Sequence, residues 1–285
     1  MPDNYFPHSQ FSESDIQRTA PALKVGILAT ITPQGLPHLT LISTLMACSP
    51  TRVVWGQFME GQSKENVRTN PKTGFMVMTL DKVAWRGTAT YSHAARSGAE
   101  YDYYNNVPMF RYNAYFGVHT VHYMDLVAHS GPVPLPMSRI ILAAVQTMAA
   151  RTLSPGQAGR EALNGWTRVF FNKLDNLKFL SYVDGQGYPQ VIPLIQAQSR
   201  NASQLIFSGT AFGAELARIP VGAPAAVFGM SLQMEDVLVR GVYCGHPAGA
   251  LGCGVLDVDW VYNPMPPAPS QIYPALKLEA ITDFS

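Results

Sequence analysis

No apolar run in this chain reaches the ~20 residues that a membrane-spanning helix needs, although apolar side chains fill 47% of its 285 positions. Cysteine is scarce: Cys48, Cys244 and Cys253 are an odd number with no Cys-x-x-Cys spacing. That argues against a disulfide framework and for a reduced, cytoplasmic setting. Neither sign of charge dominates, since 20 basic and 19 acidic side chains leave a net +1, and basic residues form no run. A nucleic-acid partner is disfavoured on that ground, because phosphate neutralisation supplies most of such binding. The first residues, Met1-Pro2-Asp3-Asn4-Tyr5, have neither the basic start nor the apolar core of a signal peptide. No Gly-x-Ser-x-Gly elbow, P-loop or Gly-x-Gly-x-x-Gly opens a helix after a strand.

What the chain does have is an internal echo. Gly26–Ile31, a turn holding Gln34-Gly35-Leu36-Pro37, Leu39–Ile42 and Val53–Gly56 recur as Leu177–Val183, Gln186-Gly187-Tyr188-Pro189, Val191–Ile195 and Leu205–Ser208. The two Gln-Gly-x-Pro turns lie 152 residues apart, and Arg86-Gly87 and Arg240-Gly241 lie 154 apart. A period this long implies a duplicated domain, because solenoid units repeat at roughly 20–50 residues.

β-branched runs punctuated by Gly and Pro predict strands at Val25–Thr32, His38–Cys48, Arg52–Phe58, Thr73–Leu80, Val83–Ser92 and Val118–His129. Ser12 or Ser14 would cap an N-terminal helix, and Ser63 a short helix ended by Asn70-Pro71. The tyrosine-rich stretch 101–115 reads as a helix and loop over one sheet face. Ser138–Thr152 reads as a connecting helix with Ile140, Ile141, Ala144, Val145 and Met148 on one side. The later strands are expected at Leu177–Val183, Pro189–Gln198, Gln204–Thr210, Ala223–Ser231, Val237–Gly245 and Gly254–Tyr262. Six short strands and a small helix per half imply a small closed or nearly closed barrel. The domains are then 1–136, a helical connector 137–174, a second barrel 175–262, and a Pro-rich tail 263–285.

Gly56–Asn66 joins a strand to a helix start, where unpaired N–H groups and the helix dipole favour an anion. Lys64 adds a charge there and Ser63 a hydroxyl. The order of Ile27-Leu28-Ala29-Thr30, Gln34-Gly35-Leu36-Pro37-His38, Ser63-Lys64-Glu65-Asn66-Val67, Asn70-Pro71 and Arg86-Gly87-Thr88-Ala89 resembles the FMN-binding split-barrel family typified by pyridoxamine 5′-phosphate oxidase. The resemblance covers residues 20–130, and 175–262 through the repeat alone. It implies an all-β fold with minor helices, two tandem split barrels packed as a pseudo-dimer, with FMN between them. By position it places Ser63 and Lys64 at the phosphate. It puts Trp55, Gly56, Gln57 and Phe58 along the phosphate and ribityl chain, and Thr40, Ile42 and Ser43 near the ring. Lys82 is a secondary phosphate candidate.

Two departures stand out. The oxidase's closing Arg-x-His signature has no counterpart near Gly254–Tyr262, which argues against pyridoxamine 5′-phosphate as substrate, and His38–Thr44 lacks the family's phosphate arginine. In the second half, Ala211-Phe212-Gly213-Ala214-Glu215-Leu216 replaces the Ser-Lys segment, so a phosphate would meet a carboxylate and no cation. One flavin per chain is expected. His119 and His122 should face opposite sides of a strand, against a metal role, while His93 and His129 are candidates for proton transfer near a flavin mouth. The resulting expectation is an FMN-dependent oxidoreductase passing electrons between small-molecule donor and acceptor, with a possible homodimer. The alternatives are a non-catalytic flavin, deazaflavin or haem carrier, and a cofactor-free interaction module.

Overall fold

The computed structural model describes residues 6–58, 61–109, 117–156, 159–233, 235–264 and 270–275. Tyr112, Asn113 and Tyr115 of the tyrosine-rich stretch and most of the Pro-rich tail lie outside the described residues.

The chain opens with α1 (Glu13–Thr19), capped by Ser12. The Ser12 hydroxyl accepts from the Asp15 N–H and the Asp15 carboxylate accepts from the Ser12 N–H, at 3.1 and 2.9 Å. There follow β1 (Val25–Ile31), β2 (Pro37–Leu41), β3 (Met46–Ser49), β4 (Arg52–Gln57), α2 (Gln62–Thr69), β5 (Lys72–Met78), β6 (Val83–Ala95), α3 (Ala99–Asn106), β7 (Thr120–His129) and β8 (Val133–Pro134). Two helices, α4 (Met137–Leu153) and α5 (Gly165–Asn172), lead to β9 (Leu177–Val183), β10 (Pro189–Pro193), β11 (Gln198–Ser199) and β12 (Gln204–Phe207). The last elements are α6 (Gly213–Leu216), β13 (Pro224–Met230), β14 (Asp236–Tyr243), β15 (Gly254–Asn263) and β16 (Ser270–Tyr273).

Two eight-stranded sheets result. The first runs β2-β1-β5-β6-β7-β4-β3 with β8 beside β6; the second runs β10-β9-β13-β14-β15-β12-β11 with β16 beside β15. The two seven-strand paths match strand for strand, whereas the eighth strand joins a different neighbour in each sheet. The count is eight per sheet rather than six, and each order is an open path rather than a ring. Turns set this framework: Gly35 and Gly187, at φ +78° and +80°, occupy the left-handed region that glycine enters without cost. β9, β10 and β13 each begin 152 residues after β1, β2 and β5. Backbone bonds keep that spacing: Ile42 N–H to Gly26 O at 2.7 Å and Leu194 N–H to Lys178 O at 2.8 Å.

Three expectations change. The single strand expected over His38–Cys48 is broken at Ile42–Leu45, where Leu45 N–H bonds back to Ile42 O and turns the chain. Gly26 permits this, since a Cβ there would lie 2.1 Å from the Ile42 carbonyl oxygen. In α4 the buried side is Ile140, Ala143, Thr147 and Ala150, so Ile141, Val145 and Met148 face outward. The tail supplies an edge strand, β16, on β15.

The chain divides into two compact units. One comprises Met1–Arg139, Phe179–Pro193 and Pro224–Ala226; the other comprises Ile140–Lys178, Leu194–Ala223 and Val227–Ser285. The first unit is centred on Phe11, Leu28, Leu45, Trp55, Phe75, Trp85 and Met124. The β9–β10 hairpin belongs to this unit, and Gly74 makes room for it, because a Cβ there would sit 1.9 Å from the Pro189 carbonyl oxygen. Tyr188 Oη also lies 3.0 Å from Thr90 Oγ1, with Lys72 Nζ 4.9 Å from the Tyr188 ring centre. In the second unit Ala150 of α4 packs with Ile206, Ala250, Cys253 and Val255.

Candidate functional site

α2 follows β4 within a few residues, and a glycine stands at its start. Gly61 is the N-cap in extended conformation, and among the described residues no side chain caps the helix. A Cβ at Gly61 would meet nothing within 4 Å. Ser63, expected to be the cap, is instead the second helical residue and buried; its hydroxyl lies 2.6 Å from Thr40 Oγ1 on β2. One turn on, Asn66 Nδ2 donates to Thr30 Oγ1 at 2.9 Å. These two side-chain bonds, with Val67 buried next to Asn66, hold α2 on β1 and β2. Lys64 is half-buried on the same opening turn.

The turn after β2 is tied to β4 by one residue. Thr44 Oγ1 donates to Gly56 O at 2.9 Å and accepts from Gly56 N–H at 3.0 Å. Ile42 and Ser43 therefore sit in a turn anchored at its far end, both half-buried. Tyr104 of α3 closes the other side, donating to Thr44 O at 2.7 Å. Burial drives the Tyr104 phenol far above its ordinary pKa, so it stays a neutral donor.

Residues 55–58 do not share one face. Gly56 and Phe58 lie on the side of Tyr104 and Val118: a Cβ on Gly56 would come within 2.8 Å of Val118, and Phe58 packs on the same cluster. Trp55 and Gln57 alternate to the other side, as strand geometry requires. There Trp55 stacks on His122 at 3.8 Å and 10°, and Gln57 Oε1 lies 2.9 Å from His122 Nε2. The Trp55 Nε1 is buried with no hydrogen-bond partner. The structure thus brings Thr40 and Ser63 together, with Lys64 next along the same turn, and ties the Ile42–Ser43 turn to Gly56. It separates Trp55 and Gln57 from Gly56 and Phe58.

Other candidates resolve individually. Lys82 sits in a turn at φ +63° before β6. His119 precedes β7 and is exposed, whereas His122 is buried. His93 stacks on Tyr123 at 4.5 Å, and the Tyr123 hydroxyl donates to Glu100 at 3.0 Å. Burial first, then that bond, raise the Tyr123 pKa to about 12. His129 is committed to structure: its Nε2 lies 2.8 Å from Gln10 O and its Nδ1 accepts from Gly131 N–H at 3.1 Å. Burial lowers its pKa, outweighing the Gln10 carbonyl bond and the Asp15 charge, which raise it. Thr44, Asn66 and Tyr104 were not singled out from sequence. Thr44 lay inside an expected continuous strand, and nothing marks Tyr104 among its tyrosine neighbours.

The second unit differs at the matching place. Ser208 and Thr210 stand 152 residues after Gly56 and Phe58. Ser208 N–H donates to Thr147 Oγ1 of α4 at 2.9 Å, and Ser208 Oγ donates to Gln146 Oε1 at 2.6 Å. The four-residue α6 carries Glu215 and no lysine.

No known protein family matches the sequence, and no curated protein does. Among solved structures the chain is similar to an FMN-binding protein from Syntrophomonas wolfei subsp. wolfei, at 17% identity and a TM-score of 0.37, over 43% of this chain and 86% of that one. It is similar also to a putative pyridoxamine 5′-phosphate oxidase from Lactobacillus delbrueckii, at 16% identity and a TM-score of 0.33, over 42% of this chain and 93% of that one. A third is an FAD-binding protein from Mesorhizobium loti, at 15% identity and a TM-score of 0.29, over 41% of this chain and 91% of that one.

Proposed function

We propose that the chain is an FMN-binding oxidoreductase with one flavin site, its phosphate held at the first turn of α2. The observation that carries this reading is the helix start itself: an N-cap glycine whose Cβ direction is open, no capping side chain among the described residues, and Lys64 on the same turn. The positive end of the helix dipole suits a dianionic phosphate and the lysine charge adds to it, while the Lys64 N–H itself bonds the Gly61 carbonyl at 3.2 Å. Ser63 is a second donor, oriented by Thr40. Thr40 and the Ile42–Ser43 turn, fixed through Thr44, would border the ring.

FMN supplies hydride transfer when bound. The chain's own part is binding, orientation and exclusion of water. Tyr104, Thr44 and Gly56 fix the turn, and no acid or base of this chain is assigned to the reacting atoms. A second flavin in the matching place is disfavoured, because Gln146 and Thr147 already take the polar groups of Ser208 and Glu215 would repel a phosphate. The three cysteines are free thiols, which supports a reducing, cytoplasmic setting. Electron donor and acceptor are small molecules other than pyridoxamine 5′-phosphate.

The test is titration of the purified chain with FMN, followed by flavin fluorescence and visible absorbance, for the native protein and Lys64→Ala. Saturation at one FMN per chain, weakened about tenfold or more in the variant, is expected, since one lost charged contact costs about 1.4 kcal/mol or more. Saturation at two per chain, or equal affinity in both proteins, would overturn the site. A Soret band on added haem with no FMN binding would move the protein to the carrier class.

A further inference from the structure

Matching faces of the two units are filled differently. In the first unit the hollow over Gly56 is occupied by that unit's own side chains. A Cβ at Gly56 would lie 2.8 Å from Val118 and 3.3 Å from the Tyr104 ring, and Phe58 packs on the same cluster. The ring is also tied down, since its hydroxyl donates to Thr44 O at 2.7 Å. Counterparts in the second unit follow from spacing and register. Ser208 and Thr210 stand 152 residues after Gly56 and Phe58. The pairs Trp55–His122 and Phe207–Gly254 then set Cys253 at the place of Val121 and Gly252 at that of Thr120. Tyr104 of α3 packs with Val54 and Val121, and Ala150 of α4 packs with their counterparts Ile206 and Cys253.

Small residues thus replace the two aromatic rings: threonine stands for Phe58 and alanine for Tyr104. A cleft of about 550 Å³ remains, walled by Gln146 and Ala149 of α4, by Ser208–Thr210 and by Leu251–Cys253. That volume lies in the range of small-molecule sites. No charged side chain lines it among the described residues, and burial raises the pKa of the Cys253 thiol, which stays neutral. Arg200 stands behind the walls, donating to Ser154 O and Gly249 O. On the α4 wall, Gln146 Oε1 accepts from Ser208 Oγ at 2.6 Å and from Thr210 Oγ1, which leaves Nε2 as a donor. Leu251, 58% exposed, adds an apolar wall from a left-handed backbone at φ +50°, uncommon for a residue other than glycine.

We propose that this cleft of the second unit is a binding site for a small neutral aromatic molecule carrying one hydrogen-bonding oxygen, as a phenol does. The ring takes the kind of volume that Tyr104 and Phe58 fill in the first unit, between Ala149 and Leu251. Its oxygen accepts from Gln146 Nε2. A charged ligand is disfavoured, because a carboxylate would lose its hydration against alanine, leucine and a neutral thiol with no cation on the walls to offset the loss. The same argument keeps a flavin phosphate out, so the site is independent of the flavin site in the first unit.

The test is calorimetric titration of the full chain with p-cresol, which is the tyrosine side chain as a free molecule. The native protein should saturate with a dissociation constant of about 1 mM or below, as expected for so small a ligand. Thr210→Phe restores the first unit's residue and should abolish saturable binding. Ala149→Phe fills the cleft from the helix side and should do the same, which keeps the test decisive if one variant misfolds by circular dichroism. Gln146→Met, at an exposed position, should weaken p-cresol about fivefold, the worth of one neutral hydrogen bond. Benzoate, a similar ring with a full negative charge, should bind about tenfold more weakly or less. FMN affinity should be equal in the native chain and these variants, so the cleft and the flavin site stand or fall separately. No saturation by about 10 mM p-cresol, or undiminished binding in folded Thr210→Phe or Ala149→Phe, overturns the proposal. Tighter binding of benzoate than of p-cresol also overturns it and assigns the cleft to an anion drawn by Arg200.

Discussion

Thr44→Val is the sharpest test of how the candidate site is held. Thr44 is fully buried, and its hydroxyl serves both polar groups of one residue, accepting from Gly56 N–H and donating to Gly56 O. Valine has nearly the same shape, so packing is preserved while both bonds vanish. Each buried backbone group left without a partner costs about 1–3 kcal/mol, so the pair should cost about 2–6 kcal/mol. Thr44→Ser keeps the hydroxyl and loses one methyl group, for about 1 kcal/mol. Urea unfolding gives the global cost. Hydrogen exchange at the Gly56 amide gives the local one, and its protection should fall by about 30-fold or more, at 1.4 kcal/mol per decade. The serine variant should exchange nearly as slowly as the native chain. FMN affinity should fall in the valine variant, because the Ile42–Ser43 turn loses its tether. A valine variant within about 0.5 kcal/mol of the native protein would refute the reasoning, since that is the spread of inconsequential substitutions.

Further expectations concern both units. Burial lowers the pKa of Lys24 to about 7 and that of Lys178 to about 8, against 10.5 for a solvated lysine. Below pH 7 both folded and unfolded chains hold these protons. Between about 7 and 10.5 the folded chain has released protons that the unfolded chain keeps, so stability rises with pH through that window. The urea midpoint of the native protein should therefore climb from pH 7 to about pH 9 relative to a Lys24→Met/Lys178→Met variant, and a pH-independent difference would disprove the burial argument. Trp85 Nε1 donates to the Asp15 carboxylate at 2.7 Å, whereas Trp55 Nε1 has no partner. Trp85→Phe should thus cost about 2 kcal/mol more than Trp55→Phe in thermal or urea unfolding, the worth of a charge-assisted bond. Gly74→Ala drives a methyl group against the Pro189 carbonyl oxygen and should make the β9–β10 hairpin more sensitive to limited proteolysis than in the native chain; equal cleavage rates would refute this.

Much of the framework was legible from the chain itself. Gly35 and Gly187 fix two turns because only glycine takes their left-handed conformation at no cost, and β-branched runs on either side have no better use than strands. The spacing of 152 residues between matching turns, read from four residues each, reappears in strand starts and backbone bonds. A serine cap before α1, narrowed by the sequence to Ser12 or Ser14 and found at Ser12, and the end of α2 at Asn70 were readable for the same reason: both depend on neighbours within four residues.

What the sequence did not determine depends on residues far apart in it. Whether His38–Cys48 runs straight or breaks depends on Gly26 lying beneath Ile42, sixteen positions away. Ser63 reads as a cap from its neighbours, yet it is drawn inward by Thr40 from another strand. The alternation of β4 sends Trp55 to His122 and Gly56 to Val118, and only the pairing of β4 with β7 decides which side is which. In α4 two apolar stripes compete for one core. Helical periodicity cannot choose between them, and the small side of Ala143, Thr147 and Ala150 won because strand β12 approaches close enough for Thr147 to bond the Ser208 N–H. Local conformation follows from local residues, whereas the choice of buried face follows from the shape of whatever arrives to cover it.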